Sequence, residues 1–167
     1  FVSSNGGENV VSANSLSSGV SQIIGIVAVT ADTTTNTNSS GAVLKAALTN
    51  IEYNIVGTAT YAGIKITRIG GSDADGQASA APTGASSYFA MSSLTSGDNL
   101  IEGGQTAYYK IEATPTVAAG LSIQLSLPNL DSAAANAGID YDSDAGSHTV
   151  SKLNIGQTTL TGPTLSR

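Results

Sequence analysis

The chain has 167 residues, enough for one domain with a sizeable core, and only 11% of them are charged, against roughly 25% in ordinary soluble domains. Its net charge is -6, and its basic residues are scattered singly at Lys45, Lys65, Arg68, Lys110, Lys152 and Arg167, which excludes a nucleic-acid partner because no basic patch exists to neutralise phosphates. There is no cysteine, so a disulfide framework and thiolate metal sites are excluded too.

Residues 1–19 are polar, rich in Gly, Ser and Asn, with Val10, Val11 and Leu16 as apolar points. They read as an extended arm ahead of a domain over residues 20–167. Residues 20–31 are the most hydrophobic piece: Ile23-Ile24-Gly25-Ile26-Val27-Ala28-Val29 has no charge and strong β propensity. This run is too short to cross a bilayer, and a strand apolar on both faces must be buried on both. Residues 32–41 form a Thr/Asn/Ser loop in which Asn38-Ser39-Ser40 is a glycosylation sequon. Residues 42–56 read as a strand or strand pair whose alternation slips near Thr49-Asn50, which predicts a bulge there.

Residues 61–69 alternate Ile64, Ile66 and Ile69 with Lys65, Thr67 and Arg68. A long loop over 70–87 precedes a short strand, Tyr88-Phe89-Ala90-Met91. The clearest pattern lies in residues 101–127. Ala107, Tyr109, Ile111 and Ala113 share one face, with Tyr108, Lys110 and Glu112 on the other. Leu121, Ile123, Leu125 and Leu127 then alternate with Ser122, Gln124 and Ser126. Pro115 and Ala118-Ala119-Gly120 are expected to break the chain between these two strands, and Pro128 to end the second. With one face oily, the pair must lie over a second sheet. Ala133-Ala134-Ala135 could make one helical turn, and residues 149–155 and 158–160 are closing strands. No segment sustains a helical stripe over three turns. The fold class is all-β, a two-sheet Ig-like or jelly-roll-type β-sandwich with an extended N-terminal arm.

Val27-Ala28-Val29-Thr30-Ala31, Leu48-Thr49-Asn50-Ile51-Glu52-Tyr53-Asn54-Ile55-Val56-Gly57-Thr58, Ala62-Gly63-Ile64-Lys65-Ile66 and Ile101-Glu102-Gly103-Gly104-Gln105-Thr106-Ala107-Tyr108-Tyr109-Lys110-Ile111 resemble the Ig-like β-sandwich domains of bacterial cell-surface and appendage proteins. The resemblance spans residues 20–130 and implies structural or adhesive work without catalysis. Over the C-terminal part, Ile101-Glu102-Gly103, Ala135-Asn136-Ala137-Gly138-Ile139-Asp140-Tyr141, His148-Thr149-Val150 and Gly156-Gln157-Thr158 are similar to the Calx-β module. That likeness implies an Ig-like sandwich that binds Ca²⁺ in some members and serves as an adhesin repeat in others. The acidic turn that follows the closing strand in that family is missing here.

Asp140, Asp142 and Asp144, at alternate positions and followed by Gly146, could offer several oxygens to a hard cation such as Ca²⁺. An EF-hand loop would need Gly and an acid where Ala145 and Ser151 stand. Asp73, Asp75 and Gly76 are a thinner version. His148 is the sole histidine, and no Gly-x-Ser-x-Gly elbow accompanies it, so no enzyme is expected. Tyr108 and Tyr109 suit strand packing better than a platform for stacked sugars. Surface pilins sometimes carry Lys–Asn isopeptide bonds beside a buried acid; Lys45, Lys110, Glu112, Asn50 and Asn154 supply the residue types without fixing a pairing.

Assembly is the sharpest expectation. A weakly patterned arm before a doubly apolar strand suits donor-strand assembly, in which one subunit's segment completes its neighbour's sheet and head-to-tail contacts build a filament. The residues concerned are Val10, Val11, Leu16, Val20, Ile23, Ile24, Ile26, Val27 and Val29; the donor could come from residues 5–29 or from the tail, 158–165. An extracellular structural subunit of a pilus-like filament or surface layer is therefore expected. The hydroxyl- and amide-rich surface agrees with that location, and the start at Phe1 fits a mature chain whose export signal was removed. Its partners would be copies of itself, with surface glycans or other cells as further contacts. A Calx-β-like module of a larger surface protein and a virion structural protein are the alternatives.

Overall fold

A computed structural model describes residues 1–32, 41, 45–73, 76–78, 87–94, 97–143, 151–152 and 157–167. The strands, in chain order, are β1 (Ser4–Asn5), β2 (Glu8–Asn9), β3 (Gln22–Thr30), β4 (Ala46–Gly57), β5 (Thr60–Arg68), β6 (Gln77–Ala78), β7 (Ser87–Ala90), β8 (Leu100–Ile101), β9 (Thr106–Thr116), β10 (Ser122–Leu127), β11 (Ile139–Ser143), β12 (Ser151–Lys152) and β13 (Leu160–Ser166). Met91–Ser93 form a 3-10 turn. No helix among the described residues is long and apolar enough to cross a membrane.

The period-two pattern of residues 107–113 places β9 at the centre of one sheet. Ala107, Tyr109, Ile111 and Ala113 are buried while the residues between them are half-buried. β3 pairs with one edge of β9 and β5 with the other, all antiparallel, and β6 adds to β5. The second sheet is built along β4. Asn50 and Ile51 each pair with both β7 and β11, so these two strands lie on opposite edges of β4. β10 pairs with residues 54–57 and β11 with residues 46–51 of that same strand. The amides of Glu52 and Thr58 donate towards this edge, to Gly138 and Ser122. β10 and β11 are therefore one lane interrupted by an excursion over residues 128–138, and β13 and β12 pair outside them. The architecture is an all-β sandwich.

Four local expectations meet the structure here. The bulge at Thr49-Asn50 is present: Asp140 faces Asn50 and the next residue, Tyr141, faces Leu48, leaving Thr49 as the extra residue. β9 and β10 are not one sheet; each belongs to a different sheet, and their oily faces meet across the core. Pro115 does not break β9, where it pairs with Tyr61. β3 ends its pairing at Ala113, so the edge facing it lies open beyond that point. The Pro115 carbonyl accepts the Gly19 amide there at 2.8 Å, and no ladder bond is lost to the missing N–H. Ala133-Ala134-Ala135 lie in a turn, with Ala137 N–H donating to Ala134 at 3.3 Å, and not in a helix.

Between the sheets, Val27, Ile64, Ile66, Tyr109 and Ile111 meet Leu48, Ile51, Tyr53, Ile55, Phe89, Ile123, Leu125 and Leu127 in one cluster. Each such side chain contributes about 1.5–3 kcal/mol on burial. Tyr53 and Phe89 stack with ring centroids 4.3 Å apart. Gly25 allows the close approach of the sheets, since a Cβ there would lie 2.4 Å from Leu125 Cδ2.

Candidate functional site

The first eighteen residues form a strap along the β3 side of the sandwich. Gly6 and Gly7, at φ +57 and +86, make the two-residue turn between β1 and β2, where both residues need positive φ. The base of this hairpin holds the edge of β3: Val2 N–H donates to Ile26 O and Val11 N–H to Ile23 O, each at 2.9 Å. Its tip reaches across the outer face. Lys110 Nζ on β9 donates to Glu8 Oε1 at 2.8 Å, and a side chain at Gly6 would meet Ile69. Beyond the hairpin the strap crosses to the other sheet, where Leu16 N–H donates to Ser166 O at 2.9 Å and Ser166 Oγ donates to Asn14 Oδ1 at 2.5 Å. The Phe1 ring lies near both Gly25 of β3 and Gly162 of β13. The strap ends at Gly19, φ +74.

Each residue expected to serve assembly has a place in this arrangement. Val10 and Val11 are half-buried against the core, and Leu16 is 2% exposed within it. Val20 is 54% exposed. Ile24 and Val27 belong to the central core, while Ile23 and Val29 are half-buried. Ile26 differs: it pairs with Lys110 on the face away from the core, stands outside the central cluster, and is 0% exposed. The hairpin covers it. At Ile26 the second apolar face of β3 is thus buried by the chain's own N-terminal segment, while Ala28 on that face is exposed. The tail forms β13, paired with β10 of its own sheet.

Lys110 is the polar anchor of the strap. Its hydrogen bond to Glu8 raises its pKa above the usual lysine value against the opposing effect of burial, and the Glu112 and Glu8 charges add to the rise. Glu112 also pairs with Lys65 at 3.5 Å, so acids and bases alternate across the outer face.

The candidate cation ligands are not gathered into one site among the described residues, where no group of three or more His, Asp or Glu could hold a metal. Asp140 is buried on β11, opposite Asn50, and Asp142 is half-buried opposite Ala47. Asp73 Oδ1 accepts the Gly76 amide at 2.9 Å, a local turn. Asn38, Asp75, Asp144, Gly146, His148 and Asn154 lie outside the described residues. Tyr108 is half-buried on the outer face, and Tyr109 is fully buried in the core. Tyr109 Oη donates to Asp98 O at 2.9 Å. Burial pushes its pKa up to about 12, with Arg68 opposing and Asp98 adding to the rise. Lys110 and Glu112 share β9, Asn50 lies on β4 and Lys45 just before it, and the two lysines pair with Glu102 and Glu8.

Two buried acids were missed by sequence reasoning. Glu52 is 6% exposed and accepts from Asn129 Nδ2 at 2.9 Å and from Gly138 N–H at 2.7 Å. Asp98 is also 6% exposed and accepts from the amides of Ser72 and Asp73 at 3.1 and 2.7 Å. Their signal was an acid inside an otherwise apolar or turn segment of a chain with few charges. Comparison with known families, with curated proteins and with solved structures returns no match.

Proposed function

We propose that this chain is a non-catalytic structural subunit that joins copies of itself into a pilus-like filament or surface layer outside the cell, by passing its N-terminal strap to a neighbour. The observation that carries this reading is Ile26, an outward-facing apolar residue fully buried under residues that hold it through a few edge hydrogen bonds and one ion pair. The same seat fits the strap of a second copy with identical contacts. Gly19 supplies a backbone hinge, and the exposed Val20 follows it. The scarcity of charge, and the hydroxyls and amides that replace it, support an extracellular setting.

The chain lacks cysteine, so a pair introduced by Val2→Cys and Ile26→Cys, which face each other across the bridge, reports who holds whose strap. Polymerised material oxidised and run without reductant should give a ladder of covalent oligomers. Covalently closed monomers alone, recovered from regular polymers, would show that every chain keeps its own strap and would end this proposal.

A further inference from the structure

A pocket of about 380 Å³ opens at the end of the sandwich where β5 finishes and β9 begins. It lies at the small end of the range for ligand sites. Arg68, Lys45, Glu102, Gln105 and Thr106 line it. Arg68 is held rigidly: Nη1 donates to Asp98 O at 3.2 Å and to Leu100 O at 2.6 Å. The Asp98 carboxylate is turned to the amides of Ser72 and Asp73. Arg68 therefore makes no ion pair among the described residues. A guanidinium carries five N–H donors in a planar fork suited to a carboxylate. Among the described residues the hydrogen bonds of Arg68 use Nη1 alone, with none at Nε or Nη2. Among the described residues Arg68 is thus a half-buried cation without a counter-ion, which is unexpected in a chain of net charge -6.

The rest of the wall points to hydroxyl groups. Lys45 and Glu102 pair at 3.2 Å while remaining 39% and 68% exposed, so both can turn inwards. Gln105 adds an amide and Thr106 a hydroxyl that shares a 2.8 Å hydrogen bond with Thr30. The wall therefore carries both donors and acceptors, which a polyol requires. We propose that this pocket binds a small hydroxylated carboxylate the size of one sugar-acid ring. Arg68 takes the carboxylate; Glu102, Gln105 and Thr106 take the ring hydroxyls. This site is separate from the strap, and assembly neither requires nor excludes it.

The test is an NMR titration of the isotope-labelled full chain with glucuronate, glucose and acetate in parallel. Glucuronate should give saturable shifts at the Gly97 and Thr106 amides and at Arg68 Nε. Acetate should bind about tenfold or more weakly, and glucose should leave these signals unmoved. Arg68→Lys keeps the charge without the fork and should weaken glucuronate about tenfold. Gln105→Ala alters an exposed side chain, leaves the carbonyl clamp of Arg68 intact, and should weaken glucuronate without weakening acetate. Absence of saturable shifts at these positions with glucuronate overturns the proposal. Equal affinity for acetate and glucuronate does so as well, since the hydroxyl contacts would then contribute nothing.

Discussion

Glu52 and Gly138 hold each other twice: the Glu52 amide donates to the Gly138 carbonyl, and the Gly138 amide donates to Glu52 Oε2, both at 2.7 Å. The other carboxylate oxygen accepts from Asn129 at the opposite end of the excursion. One side chain thus ties the neck of the loop that separates β10 from β11.

Replacing Glu52 by Ala leaves the buried Gly138 amide without its carboxylate acceptor, a loss of about 1–3 kcal/mol. Glu52→Gln should recover part of that, because its amide keeps one accepting oxygen. Urea unfolding of both variants measures this, and hydrogen exchange at Gly138 should rise in both.

Tyr109 makes stability fall at high pH. Below its ordinary value of 10.0 the phenol is protonated in both states and its contribution is intact. As pH rises from there to about 12, the unfolded chain loses the proton first, and roughly 1.4 kcal/mol is lost per pH unit, on the order of 2–3 kcal/mol in all. Tyr109→Phe should flatten this decline and, by losing the bond to Asp98 O, cost about 1 kcal/mol at neutral pH. Denaturant midpoints measured across that window provide the check.

The strap should loosen when Lys110 loses its charge. Its folded-state pKa is raised, so the hold is complete below the ordinary lysine value and disappears as pH climbs through the folded-state value. Lys110→Gln should reproduce the loosening at neutral pH. Hydrogen exchange at Val2 and Val11 should accelerate in the variant, with the centre of β9 unchanged.

Gly57 and Gly7 should respond unequally to substitution. A Cβ at Gly57 would stand 2.1 Å from the Ser122 carbonyl oxygen, and its φ is +148. Gly57→Ala should therefore destabilise by about 2 kcal/mol or more, through strain and overpacking together. At Gly7, φ +86 with open space around it, Asn tolerates the left-handed backbone and Gly7→Asn should cost less than about 1 kcal/mol. Thermal melts of the two variants separate these outcomes.

Strand identity was legible wherever alternation was strong. β9 showed its buried face residue by residue, and the bulge at Thr49 appeared as a slip in the pattern. The doubly apolar run 23–29 called for cover on both faces; the second face is covered at Ile26 and exposed at Ala28, and nothing in the run named the cover. The β1–β2 hairpin was invisible because its strands are two residues long and polar, leaving only Gly6-Gly7 as a signal. Glu52 and Gly138 are 86 residues apart, and single-sequence patterns carry no information about such a pairing. Arg68 read as the polar side of a strand; its carbonyl partners, Asp98 in a turn and Leu100 at the start of β8, are 30 and 32 residues on.

The excursion tied by Glu52 also gives the sandwich a place to grow. Residues 133–136 at its tip are exposed, while sheet pairing resumes at Ile139 in the same lane that Leu127 leaves. Extra sequence entering at the tip leaves every strand register unchanged and adds little closure entropy. A foreign peptide grafted there would be displayed on a rigid neck, opposite in the chain from the strap, making the domain a carrier for presented epitopes.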